Sequence, residues 1–329
     1  MHADLPGDRT PVSRRTRFAT ALVTLLVSLP STVLGGLLVY GVGALFGPWP
    51  AVGLTLTWLL CGTLIPAPTA EMAPQIFRVR RPEPAEHTVL IPAWHNVTRA
   101  AGVRGAAYSL WIQDTDHLNA LAAPGRIVVA TGWAVAALGP RELEAVLAHE
   151  LGHHLGGSQR AQMLSYWYAL PIRGILGGYR RITWLFAVFV AKAAHVAGFV
   201  SLLQFLGVRK AIEVIGIGVL VLSRTLVLAA AAVGLLLVVG APVAAPLALA
   251  IILEPFAQQA QRRRAELRAD QVAVDLGYGP ETYAVLDLWL RRQRPRRAPS
   301  RLARLLDSHP RIETRIRAVE IRMGHEPTE

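Results

Sequence analysis

Residues 145–157 read AVLAHELGHHLGG, and the fold turns on how this stretch is read. It holds His149-Glu150-Leu151-Gly152-His153, the pattern His-Glu-x-x-His. Positions four apart share one face of a helix, so both imidazoles can meet one metal ion. Glu150 lies one position round, close enough to act on a water at that ion. Zinc takes nitrogen and carboxylate ligands and keeps a fourth position open in catalytic sites. Upstream, the run from Pro140 to Leu147 reads as a helix already under way, with Leu143, Val146, Leu147 and Leu151 as its apolar stripe. Two ordinary helix histidines would give the same pattern, so the rest of the chain has to decide.

Of 329 residues, 53% are hydrophobic, and mean hydropathy is +0.38. That is too apolar for an ordinary soluble chain and points to a membrane protein. The net charge of +12 comes almost wholly from arginine, since lysine occurs only at 192 and 210. With apolar spans present, a membrane surface is a simpler partner for this charge than nucleic acid, and no nucleic acid is expected. The single cysteine, Cys61, excludes an intrachain disulfide and a cysteine-based metal site.

Residues 1–17 read as a basic cytoplasmic tail, and 18–70 as two N-terminal transmembrane helices, Phe18 to Phe46 and Ala51 to about Ala70. Arg14, Arg15 and Arg17 precede the pair and Arg78, Arg80 and Arg81 follow it, which places both ends in the cytoplasm. Residues 71–181 form the first catalytic part. Gly105 to Ile112 reads as a strand, and Asn119–Ala123 and Arg126–Ala130 read as a hairpin turning at Pro124-Gly125. A helix from Trp133 to Leu138 and the motif helix follow. Residues 182–257 hold transmembrane helices three and four, over 182–206 and near 214–239. Pro242, Pro246 and Pro255 break the run from 211 to 257. Residues 258–329 form the second catalytic part: a helix ending at Gly277, another from Glu281 to Arg292, and a last one opening at Ser308-His309-Pro310. Between these, Arg291 to Arg304 could touch anionic lipid or be a solvated linker.

Two histidines need a third ligand. Glu266, in Arg264-Ala-Glu-Leu-Arg-Ala-Asp270, is the best candidate, and Asp270 one turn later suits the carboxylate that holds a ligand histidine's other N–H. His154, off the shared face, reads as structural. If Glu266 meets the same ion as His149, an even number of crossings separates them. This gives four spans and a cytoplasmic site.

Four pieces in order resemble the HtpX and CAAX-prenyl-protease group of integral-membrane zinc metallopeptidases. They are Asn119-Ala-x-x-x-x-Gly-Arg-Ile-Val-Val-x-Thr-Gly132, His149-Glu150-x-x-His153, Glu266-x-x-x-Asp270, and His309-Pro310 with Arg315. The resemblance covers about 105–320. It implies a membrane α-helical protein with an α+β zincin-like catalytic domain, about four transmembrane helices, and a small β-sheet beside the active-site helices. It also implies one Zn2+ per chain on His149, His153 and Glu266, with Glu150 as catalytic base and His309 and Arg315 lining the site. The segment Asn119, Ala120 and Leu121 would be the edge strand that binds substrate. The expected activity is metalloendopeptidase cleavage of misfolded or membrane-associated proteins at the cytoplasmic face of a bacterial inner membrane. The BlaR-type sensor peptidases share the motif and a later carboxylate but fit the hairpin less well. A non-catalytic scaffold with a structural metal would need four protein ligands and no adjacent base.

Overall fold

The structure, a computed structural model, describes residues 14–66, 68–115, 120–196, 240–292 and 309–324, with 233–234, 236–237 and 307 between them. It is mostly helical, with one small mixed sheet. Two compact units emerge. The first gathers Met1–Ser28, Cys61–Trp167 and Pro255–Glu329; the second gathers Leu29–Leu60 and Tyr168–Glu254.

The first unit is built around three strands, β1 (Ser109–Gln113), β2 (Ala120–Ala123) and β3 (Ile127–Thr131), in the order β1-β3-β2. The hairpin expected from the Pro124-Gly125 turn is present, with Ala123 opposite Ile127 and Ala120 opposite Ala130. β1 lies parallel to β3 on its other side, Ser109 opposite Ile127. β3 reads Ile-Val-Val-Ala-Thr and is buried along its whole length, as a central strand covered on both faces should be. Val128 and Ala130 face one core with α5 (Pro84–Ala100) and α7 (Pro140–Gly156). Ile127 and Val129 face another with Trp111, Val79 and Ala73, the last on α4 (Ala73–Phe77). Arg80 bridges the outer side of β1 at Ile112, so among the described residues β2 is the edge without a further strand.

α5 was not foreseen. Glu86 accepts the Glu83 N–H at 2.8 Å, which caps its start, and Pro84 takes a first-turn position where no N–H is needed. Leu90, Ala93, Trp94 and Val97 form its buried stripe, while Pro92 lies on the exposed face. α6 (Gly132–Ala137) starts where Thr131 accepts the Ala134 N–H, and α7 follows, with Glu142 accepting the Gly139 N–H at 2.9 Å.

After α8 (Gln159–Tyr168) and α9 (Leu170–Val196), α10 (Ala241–Ala273) runs unbroken through Pro246 and Pro255, contrary to the expected breaks. Each proline removes one ladder bond, a local loss that leaves the rest of this 33-residue helix bonded. A π-turn at Val274–Tyr278, with Gly277 at φ 89, leads into α11 (Gly279–Arg292). α12 (Ile312–Met323) starts four residues later than read from Ser308, and Leu286, Ile312 and Val319 join it to α11.

The N-terminal apolar run is not one rod. α1 (Arg14–Val27) and α2 (Leu29–Ala44) are separate helices, broken at Ser28. The expected tail to residue 17 is therefore helical from Arg14. Thr16, Thr20 and Thr24 on α1, and Ser28 just past its end, follow at four-residue spacing. Gln261 donates to Thr24, Arg268 donates to Thr20 at 3.1 Å, and Ser28 bonds Ser165 at 2.8 Å. This hydroxyl stripe binds α1 into the first unit.

In the second unit, α2 begins with orphan N–H groups, and buried Glu254 accepts both the Ser31 N–H at 2.9 Å and its hydroxyl at 2.8 Å. α3 (Pro48–Leu64) has 17 residues, about 25 Å of helix, which is short of the roughly 30 Å apolar thickness of a bilayer. Among the described residues one helical run, within Ala241–Arg292, is long and apolar enough to cross a membrane, or two if the broken α1–α2 pair is one span. That is fewer than the four expected. Most of 197–239, where the third span was to end and the fourth to lie, falls outside the described residues.

Candidate metal centre

α7 presents His149 and His153 one turn apart, with Nε2 atoms 3.2 Å from each other. Glu266 comes in from α10, with Oε1 3.3 Å from His153 Nε2 and Oε2 3.8 Å from His149 Nε2. These three residues offer donor atoms all within 4.8 Å of one another. Corners of a tetrahedron with metal bonds near 2.0–2.1 Å lie about 3.3 Å apart, so the spacing suits a zinc-sized ion. The arrangement offers three protein ligands.

Asp270 Oδ1 sits 2.8 Å from His149 Nδ1, which commits Nε2 of that ring to the site. Arg315, from α12, grips the same carboxylate with two bonds: Nη2 to Oδ1 at 2.7 Å and Nε to Oδ2 at 2.8 Å. Its Nη1 reaches Glu266 Oε2 at 3.5 Å, and His309 Nδ1 reaches the same oxygen at 3.3 Å. Arg315 is buried, whereas the His309 side chain is 63% exposed. Asp270 and Arg315 thus make a buried ion pair behind the histidines, while His309 stands at the solvent side.

The electrostatics follow from burial. Desolvation raises the Glu150 pKa, and the neighbouring His149 and His153 only partly offset it. Burial also works against the Glu266 charge, but hydrogen bonds from His153 and His309 win, and its pKa falls far below the usual carboxylate range. Asp270 is likewise lowered: burial opposes its charge, and His149 and Arg315 outweigh it. The site therefore holds one carboxylate pushed towards the proton beside two held firmly ionised.

Of the other residues singled out in the sequence, Ala120 and Leu121 open β2 opposite Ala130 and Val129, and Asn119 lies outside the described residues. Most of Arg291–Arg304 does too; Arg291 pairs with Asp287 at 2.7 Å and Arg292 stacks over Trp133 at 4.1 Å. His154 turns away from the centre, as expected. Its Nε2 donates to the Ile127 carbonyl at 3.2 Å, and burial pushes its pKa down to about 4.

Sequence reasoning missed the role of Gly152. A Cβ there would lie 2.9 Å from Ala269 Cα and 3.0 Å from Ala269 O, so only glycine lets α10 approach α7 this closely. The signal was the small residue inside the motif itself. Gly152→Val is expected to force the helices apart at an overpacking cost of about 1–3 kcal/mol and to draw Glu266 off the histidines. Zinc content and thermal melting of the purified protein would both fall. Wild-type zinc content in this variant would refute the close-packing argument.

The model of peptidase family M48 matches residues 85–323, which takes in every element of the centre. No curated protein and no solved structure matches the chain. The match covers well over half of the 329 residues, and the chain belongs to peptidase family M48, a family of metallopeptidases.

Proposed function

We propose that the protein is a membrane-embedded zinc metalloendopeptidase that hydrolyses peptide bonds of misfolded or membrane-associated proteins. The observation that carries this is the convergence of His149, His153 and Glu266 beside the buried carboxylate of Glu150. The donor set of two imidazoles and one carboxylate fits zinc, and a base next to the ligands has no use in a purely structural site.

When bound, zinc would supply Lewis-acid polarisation of the scissile carbonyl and lower the pKa of a water. Glu150 accepts the proton of the attacking water and later returns it to the leaving amine; its raised pKa suits both halves of that task. Asp270 keeps His149 in the tautomer that offers Nε2, and Arg315 keeps Asp270 in place. His309, exposed and beside Glu266, is the better donor to the developing oxyanion; Arg315 is already engaged with Asp270. The substrate lies extended along β2, adding a strand by backbone hydrogen bonds, which favours breadth over side-chain selectivity.

The apolar run in α10, the broken α1–α2 pair and the arginines around the N-terminal spans support an integral membrane protein with its site on the cytoplasmic side. In this reading the chain crosses the membrane four times and the catalytic parts are 71–181 and 258–329. Treating the purified full-length protein with 1,10-phenanthroline is expected to stop cleavage of unfolded casein, and zinc is expected to restore it. Cleavage that survives removal of all metal would sink the proposal.

A further inference from the structure

We propose that His154 and Gln159 are positioning residues that hold the β2–β3 hairpin in register with the metal-binding helix, and so align the edge along which substrate lies. The inference rests on the peptidase reading above. His154 is covalently next to the ligand His153, yet its ring points to the sheet. Its Nε2–H donates to Ile127 O at 3.2 Å, at the first residue of β3. A carbonyl can only accept, so the proton is on Nε2, and Nδ1 is free to accept from the Gln159 amide. The Gln159 Oε1 in turn accepts the Gly125 N–H at 3.4 Å. One chain of contacts therefore runs from the end of α7 through His154 and Gln159 to the turn of the hairpin.

The turn needs such a hold. Gly125 and Arg126 both take left-handed backbone conformations, with φ 89 and 60. A Cβ on Gly125 would collide with the Pro68 carbonyl, so the turn is fitted between Pro68 on one side and Gln159 on the other. The His154 ring is also fixed edge-on against Tyr108, 5.3 Å between centroids, and Tyr108 stands edge-on to Trp94 at the same distance. β2 itself has four residues and pairs with β3 alone among the described residues. With β3 as its one strand neighbour, a one-residue slip of β2 would turn every side chain to the wrong face. A misplacement of about 1 Å between substrate and reacting groups can cost on the order of 10²-fold in rate. His154 spans this gap by the shortest covalent route, from a metal ligand to the strand.

The test compares two substrates on the full-length protein: a peptide long enough to pair with the whole of β2, and a dipeptide amide too short to do so. His154→Phe keeps the ring beside Tyr108 but removes both hydrogen bonds. Zinc content is expected to stay at the wild-type level. Cleavage of the long peptide is expected to fall by about 10- to 100-fold in kcat/KM, mainly through KM, while the dipeptide amide changes little. His154→Gln, which can still donate to Ile127, should recover part of the loss. Gln159→Leu, which leaves α7 untouched, should shift the long peptide in the same direction and keeps the test open should His154→Phe misfold. Equal losses on both substrates, loss of zinc, or no loss on the long peptide overturns the inference. A wild-type chain that cleaves neither substrate overturns the peptidase reading, and this inference with it.

Discussion

Glu150→Gln is expected to leave zinc bound and to reduce cleavage of unfolded casein by about 10²–10⁴-fold, the range a general base supplies. The substitution is close to isosteric. Glu150 sits in the middle of α7 and is 5% exposed, so an amide fits where the carboxylate was. Because burial already disfavours its charge, neutralising the side chain removes a desolvation cost rather than adding one. The helix, the two histidines and Glu266 have no reason to move. What is lost is the ability to accept a proton, and with it the step that makes water a nucleophile. Metal analysis of the purified variant together with a casein assay separates the two effects. A variant that keeps its zinc and still cleaves at the wild-type rate removes Glu150 from the chemistry.

How much of this was legible in the sequence depended on how local each feature is. The motif helix and the β2–β3 hairpin could be read because their signals lie within a few residues: Pro140 with Glu142 at the start of α7, and Pro124-Gly125 between two apolar runs. Glu266 and Asp270 could be read as a pair because four-residue spacing fixes them to one face. α5 had its signals too, in Pro84, Glu86 and the spacing of Leu90, Ala93, Trp94 and Val97. Pro92 masked them, since a proline reads as a breaker until its exposed position is known. The parallel pairing of β1 with β3 had no local signal at all; it depends on which strand edge the folded chain leaves free. The break at Ser28 was hidden for a different reason. Thr20, Thr24 and Ser28 in an uncharged run look neutral in hydropathy, and only their partners Arg268, Gln261 and Ser165 show that they form a working face.

The buried pair of Asp270 and Arg315 illustrates the same limit at the site. Each residue could be suspected alone, but their two-bond grip links α10 to α12 across 45 residues of sequence. Two charges taken out of water repay their desolvation only when their bonds are satisfied. Here Asp270 serves both Arg315 and His149, so the ion pair also fixes a ligand. The cost of burying it makes sense as orientation of the metal-binding ring rather than as a gain in stability.

Glu266→Ala should do what Glu150→Gln does not: empty the centre. The side chain is the single oxygen donor of the set, and it reaches His153 at 3.3 Å and His149 at 3.8 Å. Without it two imidazoles remain, one turn apart on α7, and Asp270 cannot take the vacant place because Arg315 and His149 hold it. Loss of an outer partner of a ligand typically costs 10- to 100-fold in metal affinity, so loss of the ligand itself should cost more than about 100-fold. Zinc per chain after dialysis is then expected to fall well below one, and casein cleavage with it. The fold should survive, because Glu266 is partly exposed and contributes no core area, while Gly152 and Ala269 still set the approach of α10 to α7. Thermal melting in the presence of chelator, where no variant holds metal, is the control: wild type and Glu266→Ala should then melt alike. Undiminished zinc in Glu266→Ala would mean that another residue completes the site, and the pairing of α7 with α10 would lose its chemical purpose.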